Sequence, residues 1–101
     1  MQIYLDTEVK QFVSSLDEHS VAKVLRTINL LVEFGHRLNM PHSKKVAQSL
    51  FELRIRGEQE IRIFYCFHKG SAYLLHGFVK KSQRIPKREL EAAILKLRRL
   101  T

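Results

Sequence analysis

Cysteine is almost missing from the sequence: Cys66 stands alone, which excludes an intramolecular disulfide and any cysteine-based metal cluster. Long apolar runs are missing too, none approaching the roughly 20 residues that a membrane-spanning helix needs. The opening segment, Met1 to Asp6, carries neither a basic leader nor an apolar signal core. These absences lead to the expectation of a soluble, cytoplasmic chain with no membrane partner. His19, His36 and His42 lack the spacing of metal ligands, so neither a metal nor a cofactor is expected. Internal repeats and low-complexity segments are absent as well.

Acidic residues are scarce. Ten Asp and Glu face 18 Lys and Arg, a net charge of +8. That much positive charge on a small protein points to a polyanionic partner, because each phosphate neutralised releases condensed counterions. The 101 residues suffice for one domain, expected to span 1–101, and 45% of them are hydrophobic. A domain of this size buries roughly two thirds of its unfolded surface, enough for a true core. It leaves little room for a deep pocket, so an open site for a large substrate is expected.

Apolar periodicity divides the chain. Ile3 and Leu5 mark a short first strand, and Asp6 or Thr7 can cap a helix carrying Val9, Phe12, Val13 and Leu16. Asp17 to Ser20 breaks that pattern and can cap a second helix, whose stripe is Val21, Val24, Leu25, Ile28, Leu31 and Val32. Gly35 is its natural stop. The polar stretch from His36 to Gln48, with Pro41 and Lys44–Lys45, reads as a loop. From Ser49 the period becomes two. Three strands follow, around Phe51 to Arg56, Ile61 to Phe67 and Ala72 to Val79, with turns at Gly57–Glu60 and His68–Ser71. Connections this short force an antiparallel meander. After the basic loop Lys80 to Arg84, Pro86 opens a final helix lined by Leu90, Ala93, Ile94, Leu97 and Leu100. The order β-α-α-β-β-β-α predicts an α+β fold. Its antiparallel sheet carries the helices on one face and leaves part of the other open.

Alternation then locates the chemistry. If Phe51, Leu53 and Ile55 face the helices, Glu52, Arg54 and Arg56 emerge together on the open face. If Arg62, Phe64 and Cys66 of the next strand share that face, a carboxylate, two guanidiniums and a candidate base-stacking ring lie close together. Cations grip phosphates and rings stack on bases, so the patch suits a polynucleotide. A plain cross-strand salt bridge on a solvated face accounts for the same residues. On the third strand Leu74, His76, Phe78 and Lys80 alternate with Tyr73, Leu75, Gly77, Val79 and Lys81, and the pattern does not say which set faces outward. His76 fits either proton transfer or a structural role. Phe64 and Phe78 fit either the core or base stacking.

The blocks Leu50–Arg56 (LFELRIR), Arg62–Tyr65 (RIFY) and Leu74–Gln83 (LLHGFVKKSQ), with a proline and a last helix behind them, resemble the phage-derived Gp49-like, HigB-type branch of the RelE/ParE toxin superfamily. The resemblance follows the element order of the whole chain and is strongest from Leu50 to Ala93. It implies a RelE-like fold and a toxin that cuts translated mRNA in the ribosomal A site, by attack of an RNA 2′-hydroxyl on the adjacent phosphate. Motif matching assigns phosphate-gripping positions to Arg54 and Arg62 and the basic catalytic segment to Lys80 and Lys81. Glu52 stands where the RelE branch has a lysine, and the C-terminal tyrosine of some RelE toxins has no counterpart here. Arg54 and Arg62 would stabilise charge on the phosphate oxygens. Glu52, or a lysine shifted far below about 10.4, would take the hydroxyl proton. Lys44, Lys45, Arg56, Phe64, His76, Gln83 and Arg84 complete the expected RNA-binding set. The resemblance further implies the ribosome, mRNA and a helix-turn-helix antitoxin as partners. Two other functions compete: a ParE-like gyrase poison, and a non-catalytic RNA-binding protein of the same fold.

Overall fold

A computed structural model describes residues 1–100. Its elements are β1 (Ile3–Leu5), α1 (Thr7–Ser14), α2 (Glu18–Phe34), a 3-10 turn (Gly35–Arg37), β2 (Ser43–Ala47), β3 (Leu50–Ile55), β4 (Ile61–His68), β5 (Ser71–Val79) and α3 (Lys87–Leu100). Local signals set the helix ends. The Asp6 carboxylate accepts from the Glu8 amide at 3.0 Å, and the Asp17 carboxylate accepts from Ser20. Each satisfies an amide that the first turn leaves free. Gly35 ends α2 with φ at +53°, where a side chain would be strained.

The five strands form one sheet in the order β1-β5-β4-β3-β2. The expected meander is β3-β4-β5, antiparallel throughout. Two departures enlarge the sheet. The stretch from His36 to Gln48 is not all loop: Ser43–Ala47 pairs antiparallel with β3 as an edge strand. Its alternation is hidden because the inward residue is polar, Ser43, whose hydroxyl shares a hydrogen bond with the buried Tyr65 phenol. The sheet is also mixed, because β1 runs parallel to β5 with Ile3 opposite Ala72.

Two cores sandwich the sheet. Val9, Val24 and Leu31 of α1 and α2 pack on Leu53, Ile55, Ile61, Ile63, Tyr65, Ala72 and Leu74. On the other face Ala93 of α3 closes over Leu50, Phe64, Cys66, Leu75 and Phe78, with Leu90, Ile94 and Leu97 alongside. The helices therefore do not all share one face, and α3 covers part of the side expected to be open. Strand β4 is accordingly buried on both sides from Ile61 to Cys66. Burial lifts the Cys66 thiol to about 11, which makes it an inert core group.

Register explains why the third meander strand resisted assignment. Phe64 opposes His76 and Tyr65 opposes Leu74, so Leu75 is the extra residue of a bulge. His76 and Phe78 therefore share a face with Tyr73 and Leu75, whereas Leu74 points to the α1/α2 side. Each alternating set is split in two. On that α1/α2 side, Gly77 lies under Phe12: a Cβ at this position would sit 2.5 Å from the ring. Glycine here admits the close approach of α1.

Candidate functional site

What α3 leaves uncovered on its face of the sheet is cationic. Arg54 lies directly opposite Arg62, and Glu52 lies opposite Phe64, so all four share the face that carries α3. Two like charges in direct opposition repel. Glu52 relieves this: its Oε1 is 3.6 Å from Arg54 Nε and 3.7 Å from Arg62 Nε. Arg62 Nη1 donates to the Ile61 carbonyl, and Nη2 donates to Glu60 Oε1 at 3.1 Å. Arg54 Nη1 reaches the Met40 sulfur at 3.1 Å. The trio is nonetheless incompletely bonded. Glu52 Oε2 and the Nε atoms of Arg54 and Arg62 are buried without a hydrogen-bond partner among the described residues. Native proteins leave few such groups, and they mark places where water or ligand completes the set.

The turn after β3 and the segment after β5 raise walls around this floor. Lys80 donates its backbone N–H to the Glu60 carbonyl at 2.7 Å, tying the two segments together. The result is an open cleft of about 520 Å³ lined by Arg54, Arg56, Glu60, Arg62, Lys80, Lys81, Ser82 and Gln83. Five cations face one carboxylate in that lining. Glu60 also approaches Arg56 Nε at 3.4 Å. Burial pushes the Glu60 carboxyl up, but the Arg62 hydrogen bond and the charges of Arg62 and Arg56 outweigh it and leave the group below its ordinary range.

The sequence-derived residues divide accordingly. Arg54, Arg56, Arg62, Lys80, Lys81 and Gln83 come together in the cleft. Arg62 forms its floor, only 2% exposed. Glu52 is 3% exposed and lies against the guanidiniums rather than on the cleft wall. Lys44, opposite Glu52 on the edge strand, extends the same face, whereas Lys45 pairs with Phe51 and points to the other side. Arg84 is exposed beyond the cleft. Phe64 requires a correction. It has no exposed surface, and its ring centroid sits 5.4 Å from that of Phe78 inside the second core, so it offers no stacking platform. The cause is α3, whose covering of this face the strand pattern does not reveal. His76 is anchored to α3 instead of the cleft, with Nε2 2.7 Å from Glu89 Oε1.

Sequence reasoning passed over Glu60 and Ser82. Glu60 left a usable signal: it precedes Arg62 by two, the spacing that puts both side chains on one face of an extended chain. Ser82 left none.

The sequence pattern of the family described as phage derived protein Gp49-like (DUF891) matches residues 11–98. The chain belongs to this Gp49-like family. The match spans α2, the whole β2–β5 sheet and nearly all of α3, so every residue lining the cleft falls within the Gp49-like region. The α+β order agrees with the RelE-like arrangement that the resemblance implied. No curated protein matches this Gp49-like chain.

Proposed function

We propose that this Gp49-like chain is a single-domain toxin of a toxin–antitoxin pair, an endoribonuclease that cuts mRNA on the translating ribosome. The observation that carries the reading is the cleft, where five basic side chains converge on one open surface of a chain with net charge +8. Cations arranged in this way bind a phosphodiester backbone and stabilise charge on its non-bridging oxygens.

In the reaction the 2′-hydroxyl gives up its proton to solvent water in the open cleft, its oxygen attacks the neighbouring phosphorus, the P–O5′ bond breaks, and a 2′,3′-cyclic phosphate and a 5′-hydroxyl result. Arg54 and Arg62 hold the phosphate from the sheet floor. Lys80 and Lys81 approach from the wall, placed to donate a proton to the departing 5′-oxygen. Glu52 orients both guanidiniums through its flanking contacts and so acts as a positioning residue. A helix-turn-helix antitoxin and the ribosome are the partners proposed with this function, and the cytoplasm its place of action.

Inducing the protein in growing cells and mapping mRNA ends tests the proposal. New 5′ ends within translated codons are expected. DNA damage without such ends would favour a gyrase poison, and an absence of toxicity would favour a non-catalytic RNA-binding protein.

A further inference from the structure

We infer that Glu60 is a built-in anionic competitor, occupying the guanidinium positions that an RNA phosphate takes when it binds. The inference rests on the reading of the cleft as a phosphate site and adds to it a residue that limits its affinity.

Arg62 makes three kinds of contact. Nη1 is bonded to the Ile61 carbonyl, Nε faces Glu52, and Nη2 is bonded to Glu60. The first is backbone, and the second is a carboxylate whose side chain is 4% exposed. Only the third can be exchanged easily, because the Glu60 side chain is 35% exposed and borders the cleft. The same carboxylate oxygen lies 3.4 Å from Arg56 Nε, so one anion bridges two arginines across the β3–β4 turn. A phosphate oxygen entering between Arg56 and Arg62 would recover both charge-assisted contacts. The displaced carboxylate has water to swing into. Its backbone stays pinned meanwhile by the Lys80 amide, so the exchange is a side-chain rotation on a fixed pivot.

The direction of the Glu60 ionisation agrees. Held below the ordinary carboxyl range by the two arginines, it keeps its charge at neutral pH and must be displaced as an anion. Glu60 thereby weakens the grip of Arg56 and Arg62 on stray polyanions. An RNA whose position is fixed by other contacts still displaces it.

The test uses a ten-nucleotide, single-stranded, 2′-O-methyl RNA, which cannot be cleaved, with binding followed by fluorescence anisotropy. Glu60→Gln should bind about fivefold more tightly than the parent protein, the scale of one partly exposed ion pair. Its dependence of log K on log salt should steepen by about 0.7, one further phosphate neutralised. Glu60→Ala should behave alike. Glu91→Gln, which makes the same charge change on the exposed side of α3, should leave binding unchanged. Equal or weaker binding by both Glu60 variants overturns the inference, as does an equal gain in Glu91→Gln. Lys81→Gln separates the two levels. If it weakens binding while Glu60→Gln does not strengthen it, the competitor fails and the cleft stands; if neither variant changes binding, both fail.

Discussion

Arg54 and Arg62 stand directly opposite one another on β3 and β4, and the Glu52 carboxylate lies within 3.7 Å of the Nε of each. Glu52 and Arg62 are both almost wholly buried. Removing one partner from a buried ion pair leaves a charge without compensation, at a cost of about 3 kcal/mol or more. Glu52→Gln should therefore lower the free energy of unfolding by about 3 kcal/mol in urea denaturation. An unchanged midpoint would mean that Glu52 neither holds nor neutralises the arginines.

Lys96 of α3 binds Asp6 and Glu8 at the start of α1, each at 2.8 Å, and so straps the C-terminal helix to the N-terminal segment. Burial pushes the Asp6 carboxyl up, but the Lys96 hydrogen bond, the Glu8 amide and the charges of Lys96 and Arg99 bring it below 3.8. A depressed carboxyl contributes stability that is present above its unfolded value and lost as pH falls through its folded value. For Lys96 burial acts downward, yet the bonds and charges of Asp6 and Glu8 raise the amine above 10.5. That contribution is present below 10.5 and lost as pH climbs through the raised value. Unfolding midpoints of the parent and Asp6→Asn should thus differ by a constant amount from pH 5 to 9 (roughly the span between the two reference values). The difference should shrink below pH 3.8 and again above 10.5. A gap that persists undiminished at low pH would contradict this strap.

Gly77 admits the ring of Phe12, which a Cβ would meet at 2.5 Å. Gly77→Ala should cost about 1–3 kcal/mol through overpacking. Combining it with Phe12→Leu should recover part of that loss, since the smaller side chain vacates the space the Cβ needs. Additive destabilisation in the double variant would place the strain elsewhere.

Lys80 and Lys81 line the cleft, Lys81 well exposed. The double variant Lys80→Gln/Lys81→Gln should bind single-stranded RNA more weakly and flatten the salt dependence by about 0.7 for each phosphate that is no longer neutralised. Titrations from low to moderate salt will read both quantities. An unaltered slope would remove these lysines from the RNA path.

The elements that sequence reading recovered are those governed by neighbours in the chain. Asp6, Asp17 and Gly35 bound their helices through bonds and dihedrals that need no tertiary partner. Period two in Phe51, Leu53 and Ile55 oriented β3 correctly because one of its faces is greasy. What stayed hidden depends on distant pairing. Strand β2 is held by β3 and by a polar Ser43 turned inward, so no apolar rhythm announces it. The bulge at Leu75 is a matter of register, which alternation within β5 cannot encode. Phe64 does share the side of Arg54 and Arg62, but α3 roofs that side at this row and not at Arg54, which the strand pattern leaves open. The shared face of Arg54 and Arg62 followed from pattern only conditionally, and their direct opposition supplies the condition.

The measurement nearest to the central claim uses purified protein, purified ribosomes and a defined mRNA paused with a codon in the A site. The parent protein should cut the message within that codon only when ribosomes are present, leaving a 2′,3′-cyclic phosphate. Lys80→Gln/Lys81→Gln, though folded, should cut it at least about a hundredfold more slowly, the low end of the loss expected when charge-stabilising groups are removed (about 10²–10³ for a single strong donor). Intact message with the parent protein, or undiminished cutting by the double variant, would contradict the assignment of this cleft as an RNA-cleaving site.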